Sequence, residues 1–209
     1  PSEIYLIRVE KEELIRDENQ LALLQNMDIL QDQIIRRSAR WFYKERIKGL
    51  YIKGDVGRGK TQLMDIFFES LSMKKKKRLH FHRFMKKLHQ DLNDLSGQVD
   101  PVQLAAINLA KDTEVLCFDE FFVEEIGDAM LLARFMGKLF HLPVSLVATS
   151  NTLPDDLYKN GFHRNRFIPA IKAINDNCEV YELNSNQDYR LRTLEQQEIF
   201  INSKDDLGN

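Results

Sequence analysis

Eight consecutive residues, Gly54-Asp55-Val56-Gly57-Arg58-Gly59-Lys60-Thr61, constrain this chain more tightly than any other part of it. Their spacing is G-x-x-x-x-G-K-[ST], and each fixed position has a physical task. The glycines let the backbone curl, so that the amides of a loop containing Asp55, Val56 and Arg58 surround one set of phosphate oxygens. The helix that follows turns its positive N-terminal end to the same anion. Lys60 is placed to reach the β- and γ-phosphates of ATP, and the Thr61 hydroxyl to coordinate Mg²⁺. Such a loop works only between a strand and a helix. Gly49-Leu50-Tyr51-Ile52-Lys53 reads as the strand, and helical spacing runs from Lys60 to Leu71. A glycine-rich turn with a chance Lys-Thr is the competing reading, and this context disfavours it.

The rest of the chain supplies the layers such a loop needs. Helical spacing of Leu23, Leu24, Met27, Leu30, Ile34 and Ile35 predicts a helix from Asp17 to Glu45, with Asp17 as its N-cap. Leu79 to Arg83 alternates like a strand and Phe84 to Leu95 is helix-like. Asp100-Pro101 opens another helix. Val115–Phe118 and Val144–Ala148 are apolar runs suited to strands covered on both faces. Helices are expected over Gly127–Leu142 and Phe162–Ile174, and a last strand over Glu179–Leu183. Strands alternating with helices predict an α/β fold with a parallel sheet. The expected organisation is an N-terminal segment and helix over 1–45, a core over 46–185, and a polar tail over 186–209. No run of 18 uncharged apolar residues occurs, so no membrane-spanning helix is expected. Lys+Arg number 30 against Asp+Glu 32, which argues against a surface dedicated to coating nucleic acid. Two cysteines, Cys117 and Cys178, make no disulfide framework and point to a reducing compartment.

Val115-Leu116-Cys117-Phe118-Asp119-Glu120 is the second chemical signal. An apolar strand ending in two carboxylates delivers them to the edge of the sheet where open α/β folds bind ligands. Asp119 would hold the Mg²⁺ shell, and Glu120 would polarise a water for attack on the γ-phosphate. Asn151, just beyond the next apolar strand, is placed to hydrogen-bond the γ-phosphate or that water; an ordinary Asn turn is the alternative. Arg164 and Arg166 lie two residues apart near an expected helix start, so they point in different directions and one at most would meet a given phosphate. Taken alone, such a pair is usually a solvated face.

The strings GLYIKGDVGRGKT, LHFHRFM, VLCFDEFFVEEIGDAMLL, LVATSNTLPDDLYKNGFHRNRFIPAI and DYRLRTL resemble the ZapE family of AAA+-type ATPases, which also takes in the mitochondrial proteins called ATPase family gene one. The resemblance covers Asp17 to Leu194. It implies a P-loop sheet of five parallel strands in the order 5-1-4-3-2, with ATP hydrolysed at subunit boundaries in a homo-oligomer. It implies that Gly54 to Thr61 are the Walker A loop, Asp119 and Glu120 the Walker B pair, and Asn151 the first sensor. It also implies an arginine finger at Arg166, directly before a Phe, with Arg164 in reserve. Asp17 and Gln20 resemble the family's D-x-x-Q near the nucleotide. The implied partner is a protein: the division-ring polymer FtsZ in the bacterial cytoplasm, or inner-membrane clients in mitochondria. Family members continue past DYRLRTL with an Ala-Arg-Arg-Phe-Ile-like segment that nothing after Leu194 matches. The expectation is a nucleotide-binding core with impaired turnover, consistent with a chain that starts at Pro1 and covers part of a longer protein. Arg190 and Arg192 receive no role.

Weaker constellations remain. His80 and His82 on one strand face, with His89, suggest packing rather than a metal site. The Lys74–Arg78 run reads as a solvated loop, contact with nucleic acid or anionic lipid being the less favoured use. Phe121, Phe122 and Val123 are expected to be buried, an apolar surface for a partner being the alternative. A kinase, a nucleotide-gated binding module without turnover and a nucleic-acid loader are the competing functions.

Overall fold

A parallel strand covered on both faces must be apolar at successive positions, and the central strands of this protein obey that requirement. The computed structural model describes residues 1–39 and 46–183. In chain order they form α1 (Ser2–Glu10), α2 (Glu18–Ser38), β1 (Gly49–Lys53), α3 (Lys60–Ser70), β2 (Lys76–His80), α4 (Phe81–Asp94), α5 (Pro101–Lys111), β3 (Val115–Asp119), α6 (Ile126–Leu139), β4 (Ser145–Ser150), α7 (Ile168–Asn177) and β5 (Cys178–Glu182). Short 3₁₀ turns at Pro154–Asp156 and Arg164–Arg166 lie between β4 and α7. All pairings are parallel and the strand order is β2-β3-β4-β1-β5, the expected order read from the other edge. The predicted polar tail, with Arg190 and Arg192, and residues 40–45 of the expected first helix lie outside the described residues.

Successive side chains of a strand point to opposite faces, so each central strand feeds two cores. Leu50, Ile52, Val115, Cys117 and Val147 face α1, α2 and α3. Tyr51, Leu116, Phe118, Leu146 and Ala148 face α4 to α7. In the second core the Phe84 ring lies 4.6 Å from Phe118 at a tilt of 50°, and Phe81 lies 4.4 Å from Phe121. Truncating a phenylalanine so enclosed typically costs ~3–5 kcal/mol. Burial pushes the thiols of Cys117 and Cys178 up to about 12, so both stay protonated and inert near neutral pH. The predicted caps are in place: Asp17 accepts from the amides of Asn19 and Gln20, and Asp100 from that of Gln103.

Five expectations fail. The basic run is not a solvated loop, because Lys76, Lys77 and Arg78 form edge strand β2. There the lysine stems lie along the sheet and the ammonium groups find partners: Lys76 donates to the carbonyls of Phe68 and Leu71 at 2.6 Å, and Lys77 pairs with Asp112 at 2.8 Å. The strand therefore ends at His80, three residues before the predicted limit. Phe81 begins α4, where Phe81, Phe84, Met85 and Leu88 make one buried helical stripe. His80 and His82 consequently share no strand face; their rings stack at 6.0 Å across the strand–helix junction. Phe162–Ile174 is not one helix, since Pro169 near the start of α7 lacks an amide hydrogen and His163 adopts a left-handed backbone. Finally, Phe121 and Val123 are buried but Phe122 is 53% exposed. Helix α1 was not anticipated; its buried Tyr5 accepts from the Asp17 amide at 2.8 Å and so steadies the cap of α2.

Candidate nucleotide-binding site

The C-terminal ends of β1, β3 and β4 lie side by side, and every residue that the spacing assigned to phosphate chemistry except the arginine pair gathers there. The loop leaves β1 at Gly54 and passes through left-handed backbone at Gly57 and Gly59, with φ of 83° and 79°. Those angles are open to glycine at no steric cost, which is why the pattern needs it there. Lys60, the first residue of α3, turns its ammonium back into the loop. It donates to the Gly54 and Asp55 carbonyls at 2.5 and 2.8 Å and to Asn151 Oδ1 at 2.8 Å. Burial lowers the pKa of this amine, opposed by the charges of Asp55 and Glu120. Lys60 and Asn151, 91 positions apart in sequence, are thus one constellation.

Asp119 closes β3 and is 4% exposed. Both its oxygens are taken by Arg78 of the neighbouring strand, Nε to Oδ2 at 2.7 Å and Nη2 to Oδ1 at 3.3 Å. The same guanidinium pairs through Nη1 with Asp65 on α3, and its Nη2 lies 3.4 Å from the Thr61 carbonyl. Burial alone would lower the pKa of Arg78; the hydrogen bonds and charges of Asp119 and Asp65 outweigh it and hold the group cationic. Arg78 was not singled out as a site residue. In the register it faces Cys117, two positions short of Asp119 and on the same face of the sheet. That parity was the usable signal, hidden while the strand was placed at Leu79–Arg83.

Beyond Asp119 the chain turns sharply at Glu120, whose φ is 55°. The turn is fixed by β4: the Glu120 amide donates to Thr149 Oγ1 at 3.2 Å, and the Ser150 hydroxyl to the Phe121 carbonyl at 2.8 Å. Both hydroxyl residues are 2% exposed. Glu120 itself is exposed and, with Asn151, Thr152, His82 and Phe122, lines a cavity of about 610 Å³. Gln20 of α2 donates to the Arg58 carbonyl at 3.2 Å and so abuts the glycine loop, while Asp17 caps the helix that carries it.

Arg164 and Arg166 are elsewhere. They sit on the turn before α7, where Arg166 is exposed with Nη1 3.8 Å from the Met130 sulfur of α6. Arg164 Nη2 donates to the Asp155 carbonyl, while its buried Nε has no hydrogen-bond partner among the described residues. Among those residues neither arginine bonds to Lys60, Asp119, Glu120 or Asn151.

A five-stranded parallel sheet with a glycine loop after β1, a lysine at the following helix start and a carboxylate at the end of β3 defines a P-loop NTPase of AAA+-like topology. The AFG1-like ATPase family model matches residues 1–208, and the chain belongs to that family. It is 53% identical over 155 residues to a cell division protein, ZapE, of Escherichia coli K12, covering 74% of this chain and 41% of that protein. The chain therefore spans about two fifths of that relative's length. Solved structures share the fold. The DnaC helicase loader aligns with a TM-score of 0.59 at 16% identity, over 81% of this chain and 92% of that one. DnaA from Aquifex aeolicus with bound AMPPCP aligns at 0.58 and 14% identity, over 91% of this chain and 55% of that one. Among the described residues no helix is long and apolar enough to cross a membrane.

Proposed function

We propose that this chain binds ATP with Mg²⁺ in the Gly54–Thr61 loop and hydrolyses it, using the energy to remodel a protein partner. The observation that carries the reading is the hydrogen bond that joins Lys60 of the loop to Asn151, with the charge of Glu120 acting on the same ammonium. In the resting protein Lys60 satisfies its charge with two loop carbonyls and the Asn151 amide. Phosphate oxygens replace those acceptors when a nucleotide enters, and backbone amides of the loop bind the same anion. The Thr61 hydroxyl and the Asp119 carboxylate form an all-oxygen donor set of the kind Mg²⁺ takes, and one guanidinium already links their two segments. Thr61 and Asp119 would hold Mg²⁺, which would supply neutralisation of phosphate charge there. Glu120 faces the cavity and polarises the attacking water; Asn151 orients that water or the γ-phosphate.

Arg166, with Arg164 as second choice, serves the site of a neighbouring copy in a homo-oligomer. The ZapE relative supports a partner in cell division, and the proposed client is the FtsZ polymer in the bacterial cytoplasm. The test is phosphate release from ATP without any added acceptor, followed against protein concentration with and without FtsZ filaments. Turnover that rises faster than protein concentration and responds to filaments supports the reading. Absence of ATP binding overturns it, and obligate dependence on a phosphate acceptor would make the protein a kinase.

A further inference from the structure

Edge strands are where a sheet tolerates charge, yet Arg78 on edge strand β2 does more than solvate an edge. Its guanidinium fork meets both oxygens of Asp119, the side chain of Asp65 and the backbone of Thr61. Asp119 is nearly enclosed, and a carboxylate so placed is costly without a fixed cation beside it. Asp65 lies one helical turn after Thr61 on α3. A single side chain therefore ties the end of β3 to the first turn of α3, the two segments whose oxygens make the proposed cation site. The planar fork matters: a lysine at this position is a point charge that reaches one of these groups well, not three.

We infer that Arg78 is a positioning residue for the divalent cation, setting the spacing between Thr61 and Asp119 without touching nucleotide. The inference rests on the nucleotide reading above. Removing a group that orients a metal-binding carboxylate typically weakens the metal by 10–100-fold. The loop, Lys60 and the amides that bind phosphate stay where they are.

The experiment measures binding of MANT-ADP to the full chain, once in EDTA and once in saturating MgCl₂. In the parent, Mg²⁺ tightens binding. In Arg78→Met, affinity in EDTA stays within about twofold while the magnesium-dependent gain falls roughly tenfold or more. Arg78→Lys keeps the charge but recovers only a minor part of that gain. Asp65→Asn, which leaves the Arg78–Asp119 pair, loses less in the same direction. A magnesium gain in Arg78→Met equal to the parent's overturns the inference. So does a larger gain, which would make Arg78 a competitor of the cation. Equal loss with and without Mg²⁺ would assign Arg78 to the fold alone and also overturns it. Should Arg78→Met not fold, an unchanged gain in Asp65→Asn has the same force. A parent that binds no MANT-ADP in either condition overturns the nucleotide reading itself, an outcome separable from all of these.

Discussion

In the phosphate loop Lys60 gives its ammonium to three oxygens of its own chain, whereas on the turn before α7 the Arg166 guanidinium has, among the described residues, the Met130 sulfur at 3.8 Å as its hydrogen-bond partner. The contrast extends to their neighbours. Asp119 has Arg78 and the glycine loop has Gln20, while Arg164 keeps a buried Nε with no hydrogen-bond partner among the described residues. One region is arranged by its own hydrogen bonds around the proposed phosphate site. The other holds Arg164 on the Asp155 carbonyl and leaves Arg166 exposed, the feature that the proposed role toward a second molecule would use.

Five substitutions break or sharpen that contrast. The largest effect is expected of Arg166→Ala: if the proposed finger acts between copies, turnover falls ~10³–10⁵-fold while ATP binding is kept. Arg164→Ala should do less, since its head is already committed to the Asp155 carbonyl. Mixtures of Arg166→Ala and Lys60→Ala subunits should recover part of the activity, and no recovery in proven mixed assemblies would place Arg166 with its own chain's loop. Next, Glu120→Gln keeps shape and hydrogen bonding but not basicity; single-turnover hydrolysis should drop ~10²–10⁴-fold with binding intact. Lys60→Ala should weaken ATP roughly 10–10²-fold in calorimetry, the worth of one or two charge-assisted hydrogen bonds. Smallest is Gly161→Ala. A Cβ there would stand 2.1–2.3 Å from the Tyr158 ring, a buried side chain under the arginine turn. Overpacking of this kind costs about 1–3 kcal/mol, seen as a lower Tm, and nucleotide affinity should not change.

What could be read in advance was local. The glycine loop is legible because its function lies in backbone amides and φ angles that a few residues dictate, and β3 because a buried strand must be apolar throughout. The Asp17 and Asp100 caps are legible for the same reason. Strand β2 was misplaced because its lysines are satisfied by carbonyls of Phe68 and Leu71 and by Asp112, partners no window along the chain displays. Arg78 was passed over since its bond to Asp119 spans 41 positions and depends on that strand's register. The arginine turn was the avoidable error. Pro169 marked where α7 could begin, and the pair before it therefore stood outside the helix.

Glu120 carries a backbone that L-residues adopt reluctantly, held by hydroxyls of β4 that would grip a glycine equally well. Left-handed φ at such a residue costs roughly 1–2 kcal/mol. Glu120→Gly should accordingly melt higher than the parent, by a few degrees in calorimetry, while hydrolysing ATP ~10²–10⁴-fold more slowly; an unchanged or lower Tm would show the turn to be relaxed. Directed evolution for heat resistance alone would then discard this carboxylate early, so a thermostable library of this protein needs a turnover screen at every round.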